Sequence, residues 1–228
     1  QKEKRTKRMN DALSIFIPLL VEHYDRWIFK EPGPFQVRGW GCQLDGKHVP
    51  ACMSHLRFIN KKLHKKLGNG RSPSYCNAVT DMDMWIIAGV ANLLNVYNKD
   101  KFLVPITEVK YKDLVNYVKT GVLLLESRFS HTMLKNFDNV SVEGTVFDAG
   151  AWDDHRDFSY TGYRGQDYPG PSPRSNLKYS AKNMGWDLSH ASRFVHVFDS
   201  LIKSKDILGL NFPTKEHLKK MSNQLVYA

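Results

Sequence analysis

Apolar side chains recur at helical spacing through most of the chain. Between residues 9 and 30, Leu13, Phe16, Ile17, Leu20, Val21, Tyr24, Trp27 and Ile28 form one stripe. That spacing predicts an amphipathic helix, kinked or begun at Pro18 because proline lacks the N–H a helix interior needs. "EPGPF" ends it. Residues 51–67 predict a second, basic amphipathic helix, with Met53, Leu56, Ile59, Leu63 and Leu67 on one side. Residues 80–97 are apolar on nearly every side, the pattern of a buried helix, with Thr80 or Asp81 as its cap.

A fourth helix is predicted over 111–134, from Leu114, Val118, Gly121, Val122, Leu125 and Phe129. "NVSVEGTVFD" alternates instead, as a short hairpin does. Residues 149–185 have no apolar period and include the Pro-rich "YPGPSPRS". Asp187 or Ser189 then caps a helix to about Ser204, and "FPTKEHLKKMSNQL" predicts a last one with Pro213 near its start. The expected architecture is all-α or mainly α: helix pairs with long loops, as in an α/α toroid or part of one, and one short β-hairpin. Residues 1–8 read as a flexible basic arm, and residues 9–228 as one helical domain that is possible as a piece of a larger toroid.

Charge adds a partner class. The 228 residues carry a formal net charge of +10, which favours nucleic acid, an anionic membrane surface or an acidic polysaccharide. "QKEKRTKR" and "HLRFINKKLHKKL" hold much of the excess. No stretch approaches the roughly 20 apolar residues of a membrane helix, so no membrane insertion is expected. Cys42 and Cys52 bracket a short turn-rich loop and are expected to pair in an oxidising compartment, leaving Cys76 over. Two reduced thiols are the alternative. Asn139-Val140-Ser141 fits a glycosylation sequon, a triplet common by chance.

Candidate chemistry concentrates in "GAWDDHRDFSYTGYRG", residues 150–165, and "NMGWDLSHASRFVHVFDS". Arg156, Arg164 and Arg193 suit two-point pairing with a carboxylate. His190 stands in the first turn of its helix, where site residues are often placed and where the helix dipole favours a neutral imidazole that can accept a proton. Its bland alternative is a second capping group. His196, further round, reads as a core or surface histidine. Trp40, Trp152, Trp186, Tyr160, Tyr163 and Tyr168 lie outside the periodic elements, where flat rings stack on sugar faces or bases. Asp83 is a cleft candidate at the start of the buried helix, and Asp81 a simple cap.

"AWDDHRDFSYTGY", "GWDLSHASRF" and the helix pairs resemble the helical-toroid carbohydrate-active enzymes, including alginate-lyase-type lyases and toroid glycosidases. No family signature matches residue by residue. The resemblance implies cleavage of an acidic or polar polysaccharide by β-elimination or hydrolysis, outside the cell or in a periplasm; the sequence also allows a cytoplasmic location. Elimination needs a group to neutralise the uronate carboxylate, a base and an acid. Arg193 or Arg164, His190 or His155, and Tyr160 or Tyr163 are the candidates. Hydrolysis needs two carboxyl groups about 5–9.5 Å apart, with Asp83, Asp154 and Asp187 available. Trp152, Tyr163, Arg164, Trp186, Asp187 and Arg193 are the expected substrate contacts, with residues 152–164 and 186–193 lining one cleft.

Three other readings compete. Asp153, Asp154 and Asp157 spell D-D-x-x-D, which in isoprenoid synthases holds magnesium, and Asp153, His155 and Asp157 suit a divalent cation on an extended segment. A solvated turn is the bland alternative. A nucleic-acid-binding protein using "HLRFINKKLHKKL" has no recognised motif behind it. A non-catalytic subunit completed by a second chain is the third.

Overall fold

The computed structural model describes residues 7–30, 54–64, 79–147 and 188–227. Seven helices and one two-stranded sheet occur among the described residues: α1 Lys7–Phe29, α2 His55–Leu63, α3 Asp81–Lys99, α4 Glu108–Glu126, β1 Phe129–Lys135, β2 Ser141–Phe147, α5 Leu188–Lys203, α6 Lys205–Leu208 and α7 Lys215–Tyr227. The protein is mainly helical, as its apolar periodicity predicts.

α3 is the centre. Met84, Ile86, Ile87, Val90, Leu93, Leu94 and Tyr97 are all buried on it, each worth roughly 1.5–3 kcal/mol of apolar burial. Neighbours cover it from several sides. Against α4 it runs antiparallel: Tyr97 meets Glu108 and Tyr111, and Ile87 packs where Gly121 leaves room. A Cβ at Gly121 would come within 2.6 Å of the Ile87 side chain. Against α5 it runs parallel. Asp81 faces Arg193, Trp85 faces His196, Asn92 donates to the Ser200 hydroxyl, and the Ser204 hydroxyl donates to the Ala91 carbonyl.

The hairpin closes another side through an aromatic cluster. Rings of Phe129, Phe147, Phe194, Phe198, Phe212 and His217 lie with centroids 4.6 to 6.4 Å apart. α7 lies on the hairpin, where Lys220 pairs with the Glu143 carboxylate at 2.7 Å and Asn223 donates to its carbonyl.

Several boundaries differ from expectation. α1 starts at Lys7 and runs through Pro18 to Phe29. The helix expected over 111–134 stops at Glu126, and Phe129–Lys135 is a strand paired from Phe129↔Phe147 to Lys135↔Ser141. The Ser127 hydroxyl donates to Leu124 and the Arg128 N–H to Leu125, which tightens the last turn. The segment that follows then finds its partner in the alternating stretch after the turn. Asn139, in the exposed sequon, takes the left-handed conformation there (φ 60°). Ser189 is inside α5 rather than before it. Thr214 caps α7, accepting from the His217 N–H. The short α6 was not foreseen. Cys42, Cys52 and Cys76 lie outside the described residues, as do residues 1–6 of the expected arm.

Candidate functional site

Two groups of polar side chains gather at the N-terminal end of α3, on opposite flanks. The first is built from the cap. The Thr80 hydroxyl accepts from the Asp83 N–H, and the Asp83 carboxylate accepts from the Thr80 N–H at 2.7 Å, a reciprocal capping box. Thr80 is therefore the cap, and Asp81 is not.

Asp83 has further partners. Lys62 Nζ donates to Oδ2 at 2.5 Å, and the Thr80 hydroxyl donates to the same oxygen at 3.0 Å. Oδ1 meets His55 Nε2 at 2.9 Å, and His55 Nδ1 meets the Tyr117 hydroxyl at 2.8 Å. His55, Asp83 and Tyr117 are wholly buried and Lys62 is 1% exposed. The Lys62 ammonium also lies 4.4 Å from the centre of the Phe58 ring, and Arg128 donates to the Lys62 carbonyl.

Burial opposes the charge on Asp83, but the Lys62 charge and the His55 hydrogen bond outweigh it. The carboxyl is held well below its ordinary range. Lys62 is shifted down, since burial exceeds the help from Asp83 and the Arg128 charge adds to it. Burial, then the nearby Asp83 charge, push the Tyr117 hydroxyl well above its usual value. Asp83 as acceptor, His55 and Tyr117 form a chain along which a proton can shift, the imidazole tautomer setting each direction. No member reaches solvent, so the chain ties α2, α3 and α4 together. Asp83, expected in a cleft, is instead the hub of this buried network.

The second group is open. Trp85 is 47% exposed and its ring stacks on His196, with centroids 5.9 Å apart and planes 25° from parallel. One turn earlier on each helix, Asp81 and Arg193 form a partly exposed pair at 3.5 Å. The second terminal nitrogen, Arg193 Nη1, is buried without a hydrogen-bond partner among the described residues. Met82 extends the face, at 49% exposure. α5 contributes its first turn, with His190, at the same end, since Asp81 opens α3 and Arg193 lies three residues beyond His190.

Of the sequence-predicted site residues, Asp83 and Arg193 are placed on opposite flanks of α3. Trp40, Trp152, Asp153, Asp154, His155, Asp157, Tyr160, Tyr163, Arg164, Trp186 and Asp187 lie outside the described residues, as does the His190 side chain. The expected cation site at Asp153, His155 and Asp157 is therefore outside them too. No group of three or more His, Cys, Asp or Glu side chains suited to a metal occurs among the described residues. None of the described helices is long and apolar enough to cross a membrane.

Sequence reasoning missed His55, Lys62, Tyr117 and Trp85. The sequence puts Met53, Leu56, Ile59, Leu63 and Leu67 on one face of the basic helix, and of these Ile59 is buried while Leu56 and Leu63 are partly buried against the core. Its buried face is His55, Phe58, Ile59 and Lys62. The available signal was the i, i+4, i+7 spacing of His55, Ile59 and Lys62 directly after the cap Ser54. The basic helix thus turns two of its cationic or titratable residues inward.

Comparison with known protein families, curated proteins and solved structures finds no match to this chain.

Proposed function

We propose that the chain is a polysaccharide-processing protein of helical-toroid type that cleaves an acidic or polar polysaccharide by β-elimination or hydrolysis outside the cytoplasm. The observation that carries the reading is the open face at the joined starts of α3 and α5. It combines a half-exposed indole, a histidine stacked on it and an arginine beside an aspartate. An indole presents a flat, electron-rich face with an apolar body, which suits the C–H face of a sugar ring. Arg193 supplies the planar donor fork that a uronate carboxylate accepts.

The helix directions support the toroid part of the proposal. α3 and α5 are parallel neighbours and α4 runs against α3, the alternation expected when inner helices share one direction and outer helices return. Sugar rings would lie along Trp85 toward α5. His190, in the first turn of α5, would be the base. Tyr160, Asp154 and His155 would be the other proton-transfer groups. Trp152, Tyr163, Arg164, Trp186 and Asp187 would complete the substrate contacts.

The test is incubation of the full chain with uronic-acid and neutral polysaccharides, read for new reducing ends and for absorbance of an unsaturated product. Reducing ends with absorbance identify a lyase, and without absorbance a hydrolase. His190→Ala should lower turnover roughly 10²–10⁴-fold if it is the general base. A folded chain that neither binds nor cleaves any polymer of the panel overturns the proposal.

A further inference from the structure

α1 carries two apolar faces, and the fold uses one. Leu13, Ile17, Val21, Tyr24 and Ile28 point to the core. Ala12, Ile15, Phe16 and Leu19 stand at i, i+3, i+4 and i+7, which places them together on a neighbouring face. There Ile15, Phe16 and Leu19 are 59–69% exposed, and Met9 one turn earlier is 44% exposed. Asp11, Ser14 and Glu22 occupy the remaining arc. Folding alone gives no reason to keep three large apolar side chains in water at consecutive helical positions.

Asp11 and Glu22 border this face along the helix, but cations dominate at its N-terminal end. Lys7 and Arg8 are exposed at the start of α1, and residues 1–8 hold five Lys or Arg against one Glu. We propose that the N-terminal half of α1 docks on an anionic lipid surface, with Ile15, Phe16 and Leu19 at the acyl boundary and Lys7 and Arg8 among the headgroups. That combination of an apolar stripe with adjoining cations is what an interfacial helix needs. A nucleic acid would use the cations and leave the stripe wet. A second copy of the chain would find about two helical turns of apolar surface, one position of it alanine, well short of the roughly 800 Å² per partner typical of a stable dimer. Docking lays the helix in the interface and requires no crossing of the membrane.

The experiment is co-sedimentation of the full chain with vesicles of phosphatidylcholine alone and with about 30 mol% phosphatidylserine added, the anionic lipid being the attracting term. Binding is expected to the anionic vesicles only. Phe16→Glu with Leu19→Glu should weaken it by at least about tenfold, and Lys7→Glu with Arg8→Glu should make the residual binding insensitive to salt. Both pairs are exposed, so circular dichroism and thermal unfolding should be unchanged. Failure to sediment with anionic vesicles overturns the proposal. So does binding that survives the Phe16→Glu and Leu19→Glu changes, which is adhesion by charge alone. A concentration-dependent dimer abolished by those same changes overturns it in favour of a second copy. None of these readouts involves Trp85 or a polysaccharide, so the two proposals fail separately.

Discussion

The two flanks of α3 hold similar chemistry in opposite surroundings. On one side Asp83 meets a histidine and a lysine, all three buried. On the other, Asp81 meets an arginine beside a histidine and an indole, in partial contact with solvent. The two aspartates are two residues apart and therefore about 200° apart around the helix. What separates their roles is burial. A carboxylate without water needs all its lone pairs used, and Asp83 has four donors. A carboxylate at the surface can keep one weak partner and remain available to a ligand.

The sealed flank should break hardest. Asp83→Asn removes the charge that holds Lys62, leaving a buried ammonium beside Arg128. Removing one partner of a buried pair costs about 3–5 kcal/mol, measurable as a shift of the urea midpoint. Lys62→Met placed on top of Asp83→Asn should recover part of that loss, because the orphaned charge goes too. A double change that costs the sum of the singles would show that the two groups are not coupled.

Acid should weaken the same flank, by a smaller amount. Asp83 is held below the ordinary carboxylate range in the folded chain, whereas in the unfolded chain it titrates near 3.9. The unfolded state therefore takes up the proton first as pH falls. The stabilisation is complete above about pH 5 and is lost as pH drops through 4 toward the folded value. Lys62 carries the opposite history. Its folded value is depressed, so the cost of burying its charge is relieved only as pH rises toward its unfolded value. Unfolding curves from pH 6 to 2 should slope downward, and Asp83→Asn should flatten that slope. An unchanged slope in the variant would assign the acid loss to other carboxylates.

These two flanks were unequally legible in the sequence. The near-continuous apolarity of residues 80–97 is enough to place a buried helix, because no other environment hides every side of it. It also draws attention to Asp83, as a carboxylate that capping by Asp81 would not explain. It cannot show which way Asp83 faces, since its distant partners His55 and Lys62 come from α2, 28 and 21 positions away. The inward turn of His55 and Lys62 ran against the usual rule that cations of an amphipathic helix face water. A buried carboxylate reverses that rule locally, and only the tertiary structure supplies the carboxylate. The end of α4 was missed for a related reason. Phe129 continues the helical spacing of Leu125, yet it is taken by a ring cluster assembled from β2, α5 and the segment before α7.

The open flank should give the smallest change in stability and the most specific change in binding. Trp85→Ala removes a ring that is about half exposed and stacks on His196. Surface substitutions of that kind usually move stability by no more than about 0.5 kcal/mol. If the indole seats a sugar ring, the lost stacking is worth about 0.5–1.5 kcal/mol, so affinity for an acidic polysaccharide should fall by up to about tenfold, read by affinity electrophoresis. Trp85→Phe keeps a flat ring and should restore much of the affinity, which a purely structural role for the side chain does not predict. Arg193→Lys keeps the charge but loses the planar fork, and should weaken binding to uronic-acid polymers more than to neutral ones. Equal loss on both polymer classes would remove Arg193 from carboxylate recognition and leave the face with Trp85 alone to contact the substrate.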